Sequence, residues 1–184
     1  MILISAGHHP SAPGAKLGDF VEHDEAMLWV VEIARYLGTR GLVVPPGTLA
    51  KKVEFINRHD PSATVEIHFN DAWKDKNGDG MVQDDEHVGK GCETLYMPGS
   101  ERGRSLAEAL HGPLAALFPP DRGVKEGWYR MDPKRGPDFF LSRTACPAVI
   151  VEPDFVENAE RLRKFRPVAC AAIASALLNW HGGV

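Results

Sequence analysis

The chain has 184 residues, a formal net charge of −4 and ordinary apolar and charged fractions, as expected of one soluble globular domain with room for a full core. The acidic balance excludes a nucleic-acid-binding footprint, and no apolar run approaches the length of a membrane span. With no basic and apolar leader, the expectation is a protein that is cytoplasmic as synthesised, acts elsewhere only after release, and shows no obligate protein partner.

Ile2-Leu3-Ile4 is a short apolar run that stops at small residues, as a strand buried on both faces does. Ser5-Ala6-Gly7 turns the backbone off that strand. His8 stands where the strand gives out, the kind of position where ligands bind in open α/β sheets. A loop rich in Pro, Gly and Ala runs from Pro10 to Gly18. Phe20-Val21-Glu22 then leads into a helix with Asp24 as its N-cap and Met27, Leu28, Val31, Ala34, Arg35 and Leu37 at helical spacing. Leu42-Val43-Val44 is a second strand. Thr48 opens a second helix with Leu49, Val53 and Ile56 on one face, and its Lys51-Lys52 pair is expected on a solvated face.

Thr64 to Asn70 is predicted as a third strand, with Val65, Ile67 and Phe69 pointing one way and Glu66, His68 and Asn70 the other. Asn70 either faces the same end as His68 or caps a turn. Cys92 to Met97 reads as another strand, and Ser100 caps a helix carrying Leu106, Ala109, Leu110, Leu114 and Leu117. A long polar connection spans Pro119 to Pro137, and loops of that length are usually functional or mobile. Trp128, Tyr129 and Arg130 within it either line a groove or pack as ordinary loop residues. Phe139-Phe140-Leu141 is predicted as a short strand, and Ala148 to Val151 as a buried strand that delivers Glu152 to its end. Asn158 caps the last helix, whose apolar positions run from Leu162 through Ile173 to Leu177 and Leu178. Strands alternate with helices throughout, so the fold class is α/β: a single domain over residues 1–184 with a mostly parallel central sheet flanked by helices. Cys92, Cys146 and Cys170 are far apart and odd in number, and read as buried thiols, not as a disulfide framework.

His8, Glu22, His68 and Glu152 therefore all fall at or just beyond strand ends. Two imidazoles and one carboxylate are a catalytic zinc donor set with a position left open, so His8, Glu22 and His68 are the candidate zinc ligands. A metal there would polarise a carbonyl and activate water. Glu152, held by Val149-Ile150-Val151 and shielded from solvent, suits the general acid/base role. Each residue also has a plain structural reading: Glu22 as a solvated first-turn acid, His68 as a hydrogen-bonded sheet histidine, Glu152 as the partner of an arginine such as Arg143.

The motifs, in order, resemble the zinc-dependent N-acetylmuramoyl-L-alanine amidases, the peptidoglycan amidases of bacterial cell-wall enzymes and phage endolysins. Ile4-Ser-Ala-Gly-His8, followed by Gly14-Ala15 and Glu22, is similar to the first motif of that family. Ile67-His68-Phe69-Asn70 is similar to its Ile-His-x-Asn strand end, and Pro147-Ala-Val-Ile-Val-Glu152 with Phe155 and Asn158 to its last motif. The resemblance implies zinc on His8, Glu22 and His68, Glu152 as catalytic acid/base, and peptidoglycan as substrate, cut between N-acetylmuramic acid and L-alanine; with no export signal and no separate wall-binding domain in the sequence, a phage-type endolysin is the expected setting. The chain departs from the family at Ser5-Ala6, where Asp and Pro are common, at His9, where Gly is, and at Asp154, also usually Gly. His9 is a rival of His8 for the metal, and His8 is preferred because it directly follows Gly7.

Asp75 to Glu86 matches the EF-hand calcium loop pattern. Asp75, Asn77 and Asp79 would supply oxygens, Gly80 the sharp turn, Met81 its carbonyl, Gln83 a water-mediated contact and Glu86 a bidentate carboxylate. The flanks do not read as paired EF helices, so an isolated calcium loop inserted at 75–86 is expected, the plain alternative being a solvated acidic loop. Two rival functions stand beside the amidase: a zinc carboxypeptidase-like peptidase, whose first His and Glu usually lie closer together, and a calcium-binding interaction module with an inactive site.

Overall fold

The computed structural model describes residues 1–72, 74, 76, 83 and 87–182. Six strands form one sheet: β1 (Ile2–Ala6), β4 (Gly41–Val43), β5 (Ala63–Ile67), β6 (Cys92–Tyr96), β7 (Asp121–Glu126) and β8 (Ala148–Glu152), in the order β4-β1-β5-β8-β6-β7. Every pairing is parallel except β6 with β8. A short antiparallel hairpin, β2 (Lys16–Leu17) with β3 (Phe20–Val21), lies outside that sheet. Among the described residues the α-helices are α1 (Glu22–Leu37), α2 (Leu49–His59), α3 (Glu101–Leu117), α4 (Phe139–Arg143) and α5 (Ala159–Gly182). Among the described residues no helix is long and apolar enough to cross a membrane.

All five residues of β1 are buried, because the sheet is covered on both faces. Ile2, Ile4 and Ala6 join Ala63, Val65 and Ile67 of β5 in a core shared with α1, α3 and α5. Leu3 faces the other way, with Ile150, into a smaller core shared with α2 and α4. The alternation forecast for β5 is present, with Glu66 opposite in facing to Val65 and Ile67. Ser100 caps α3 by accepting the N–H of Gly103 at 3.0 Å. Cys92 and Cys170 are buried, Cys146 is partly buried, and all three are free thiols.

Four local expectations are corrected. The first helix begins at Glu22, with Val21 in extended conformation before it, so Asp24 is inside the helix and not its cap. Its buried face is Ala26, Trp29, Val30, Ile33 and Leu37, while the predicted Leu28 and Val31 are 52% and 55% exposed. The true stripe keeps the i, i+3, i+4, i+7 spacing; Leu28 and Val31 are apolar residues on the solvent side. Second, the connection from Pro119 to Pro137 contains β7. This edge strand, Asp121-Arg-Gly-Val-Lys-Glu126, shows no apolar run, because its outer side meets water and its charges discourage further pairing. Third, Phe139-Phe140-Leu141 opens α4 and is not a strand. Asp138 Oδ1 accepts the N–H groups of Phe140 and Leu141, which nucleates a helical turn. Fourth, Lys52 is not solvated: it is 3% exposed.

Candidate metal centre and active site

Register brings the site together. Ala6 pairs with Ile67, and Ile67 with Val151, across three adjacent parallel strands. The next residues, Gly7, His68 and Glu152, therefore emerge at one edge of the sheet. The Gly7 N–H donates to Ile67 O at 2.7 Å, and the His68 N–H to Val151 O at 3.0 Å, so the ladder continues one step past the strands. Gly7 allows that approach: a Cβ there would stand 2.6 Å from the ring of His68.

Glu22 comes from another direction. The hairpin β2–β3 carries the chain back so that Glu22, the first residue of α1, points its buried carboxylate at the strand ends. It bridges the two histidines: Oε2 is 3.0 Å from His8 Nε2, and Oε1 is 3.0 Å from His68 Nδ1. Backbone N–H groups of Ala15 and Phe69 also donate to it, at 2.9 and 3.1 Å. Gly14, at φ +80°, leaves room for this, since a side chain there would collide with both Glu22 Oε2 and the ring of His8. His8 itself takes φ +57°, rare for a residue with a side chain. His23 Nδ1 donates to Gly7 O at 2.8 Å and fixes the turn from behind.

One atom from each of His8, Glu22 and His68 lies within 4.8 Å of the others. The donor set fits zinc: two imidazole nitrogens and an ionised carboxylate. Burial alone would raise the Glu22 carboxyl, but hydrogen bonds from His68 and His8 outweigh it and hold the group well below the usual range. Burial would likewise lower His68, yet the carboxylates of Glu22 and Glu66 raise it well above its ordinary value. A place that so favours a proton favours a divalent cation by the same field. His9 stays outside the group, half-buried, with Nδ1 2.9 Å from Ser11 Oγ.

The residues missed by the sequence reading stand behind His68. Its Nε2 lies 3.3 Å from Glu66 Oε2, so a carboxylate orients the imidazole from the side away from Glu22. Glu66 is buried, and its Oε1 accepts from Ser5 Oγ at 2.9 Å and from Lys52 Nζ at 2.5 Å. Lys52 also donates to Ala6 O at 2.7 Å. Burial would raise Glu66, but His68 and Lys52 bring it down to about 2. Ser5, one of the departures from the family pattern, thus belongs to this network. The signal for Lys52 was present: Leu49, Lys52, Val53 and Ile56 complete one helical face.

Glu152 shares a groove with His8, Gly14, Glu22, His68 and Asn70. Burial pushes its carboxyl up to about 7, with repulsion from Glu93 and Glu22 adding to the effect and His68 and Arg122 opposing it. Glu93 pairs with it in register on β6, and is itself neutralised by Arg122 at 3.0 Å and Lys125 at 2.5 Å. Asn70 donates to Glu93 at 2.5 Å, so it braces this wall of the groove. The Glu152 carboxylate makes no hydrogen bond or ion pair with another described residue, and Arg143, its suggested partner, lies over the ring of Phe139 instead. On the other side of His8 and His68 a cleft of about 310 Å³ is lined by Leu49, Phe140 and Ile150. Tyr129 lines a separate depression with Arg135 and Phe139. Asp154 is fully buried, accepting from Gly91 N, Asn158 Nδ2 and Arg161, a structural clasp below the site. The expected calcium ligands Asp75, Asn77, Asp79, Met81 and Glu86 lie outside the described residues.

The sequence profile of a family described as N-acetylmuramoyl-L-alanine amidase matches residues 2–179. No curated protein sequence matches the chain. Among solved structures, the N-acetylmuramoyl-L-alanine amidase from Clostridium difficile 630 aligns at a TM-score of 0.78 and 18% identity, covering 98% of this chain and 96% of that one. N-acetylmuramoyl-L-alanine amidase AmiC2 of Nostoc punctiforme aligns at 0.75 and 22%, with the same 98% and 96% coverage. The catalytic domain of CD27L, an endolysin targeting Clostridia Difficile, aligns at 0.72 and 20%, covering 97% and 96%. At these identities the likeness establishes the fold.

Proposed function

Because the chain belongs to the N-acetylmuramoyl-L-alanine amidase family, we propose that it cleaves the amide bond between N-acetylmuramic acid and L-alanine in peptidoglycan, with zinc held by His8, Glu22 and His68. The observation that carries this reading is the convergence of those three side chains at one sheet edge with Glu152 in the same groove. When bound, zinc supplies Lewis acidity that polarises the scissile carbonyl and makes water a stronger nucleophile near neutral pH. The chain's own groups do the rest. Glu22 and His68 are pre-positioned by buried hydrogen bonds, so little is lost in ordering them. Glu152, its carboxyl near 7, accepts a proton from the attacking water and returns it to the departing amine nitrogen. The groove beside Glu152 and the apolar cleft beside Phe140 lie on opposite sides of His68, room for the two arms of a branched substrate.

The test is mass spectrometry of purified peptidoglycan after digestion. New L-alanine amino ends are the expected product, absent with His68→Ala; altered peptide C-termini would instead support the peptidase, which the family match argues against. A phage-type endolysin is the setting we infer, supported by the likeness to the CD27L catalytic domain. Cells expressing such an enzyme should stay intact until their membrane is permeabilised, and lysis without that step would count against it.

Calcium binding by residues 75–86 is a second part of the proposal, resting on the sequence pattern. A native-state ligand raises stability as its concentration exceeds its dissociation constant. Calcium is expected to raise the melting midpoint at constant zinc, and the response should vanish in Asp75→Ala with Glu86→Ala. An unchanged midpoint in the parent would remove the site.

A further inference from the structure

We propose that Asp71, His87 and Glu157 form a second site, for a divalent transition-metal ion, at the base of the segment 73–86 and separate from the catalytic group. The three residues come from different parts of the chain. Asp71 lies just beyond β5, His87 follows the acidic segment, and Glu157 sits in the 3-10 turn Val156–Asn158 that follows β8. One ligand-type atom from each lies within 4.8 Å of the other two.

The backbone around them is fixed. Val88 N donates to Ala72 O at 2.8 Å and closes the two ends of the segment. Asn70 N donates to Asp154 O at 3.0 Å, Val156 N to Asn70 O at 2.9 Å, and Asn158 Nδ2 to Gly89 O at 3.1 Å. The imidazole of His87 is 4% exposed, and its Nδ1 lies 2.7 Å from Asp71 Oδ1. Glu157 Oε1 takes the N–H of Gly89.

An independent observation points to a ligand. Glu157 Oε2 is buried with no hydrogen-bond partner among the described residues. Buried carboxylate oxygens are rarely left so, because the lost hydration is not repaid. A cation shared with Asp71 and His87 supplies the missing partner. One imidazole with two carboxylates suits zinc or a similar transition metal; calcium takes oxygen ligands alone. An ion there ties both ends of the segment to the turn after β8. It also braces the rim of the catalytic groove, which Asn70 and Asp71 line. The site holds whether or not the chain cuts peptidoglycan.

The experiment is zinc stoichiometry by elemental analysis, on chelator-stripped chain re-dialysed against zinc with calcium present to fill oxygen-only sites. The parent is expected to hold two zinc ions, His87→Ala one, His68→Ala one and the double variant none. Glu157→Gln, which keeps the acceptor for Gly89, is the milder variant should His87→Ala fold poorly, and it too should hold one. A parent with a single zinc that disappears in His68→Ala and persists in His87→Ala overturns the second site and leaves the amidase reading intact. A parent whose single zinc disappears in His87→Ala and persists in His68→Ala supports the second site and sinks the catalytic assignment. Two ions retained in both His87→Ala and Glu157→Gln also overturn it.

Discussion

Glu152→Gln is expected to fold and take up zinc as the parent does while losing about 10²–10⁴-fold in the rate of wall hydrolysis, the usual contribution of a general acid/base. At about 1.36 kcal/mol per tenfold, that is about 2.7–5.4 kcal/mol of transition-state stabilisation. The side chain lies outside the group formed by His8, Glu22 and His68, so the substitution removes no metal ligand. Gln keeps the size and the hydrogen-bonding atoms but cannot accept a proton near neutral pH. A structural role predicts the reverse, lower stability with near-normal activity per folded molecule. Zinc content, melting temperature and hydrolysis rate measured on one preparation separate the two. Retention of more than about a tenth of the parent rate would rule Glu152 out as the proton shuttle.

Lys52→Met is expected to cost about 3–5 kcal/mol of folding stability, the usual penalty for removing one partner of a buried ion pair. The pair is almost dry: the side chains of Lys52 and Glu66 are 3% and 2% exposed. Met fills much of the volume, so the loss is that of an uncompensated Glu66 carboxylate and of one hydrogen bond to the Ala6 carbonyl, not of packing. Adding Glu66→Leu should recover most of the loss, because the stranded charge goes with it. Urea denaturation of both variants checks this, and a single variant within about 1 kcal/mol of the parent would show that the pair is solvated. Glu66 also backs the ring of His68, so the double variant is expected to bind zinc more weakly than the parent despite its recovered stability.

Much of the site was legible in the linear pattern. His8, His68 and Glu152 follow short apolar runs rich in β-branched residues, as buried strands are, and a parallel sheet sends the ends of such strands to one edge. Glu22 was grouped with them from its place ahead of the first helix, although the start of that helix was misjudged by three residues. The hairpin that aims Glu22 is two short strands of two residues each, too short to leave a periodic signal.

Two of the misread elements, α1 and β7, share one cause. In α1 the exposed Leu28 and Val31 hid the buried stripe, and in β7 an edge strand of charged residues carried no apolar pattern at all. Local composition reports how often a residue type is buried, not which side of an element meets water.

By itself the sequence determined the α/β class and the central strands with the polar residues that follow them, because burial on two faces demands continuous apolar runs. Only the tertiary structure decided which of two adjacent lysines is buried. Lys51 and Lys52 differ by one helical step, about 100°, and that step turns Lys52 toward Ser5 and Glu66 on the inner face of the sheet while Lys51 remains in water. It also decided that Asp71, His87 and Glu157 meet: the chain separates the first two from the third by most of its second half, and the Asn70–Phe155 bridge, a pairing between distant segments, draws them to one place.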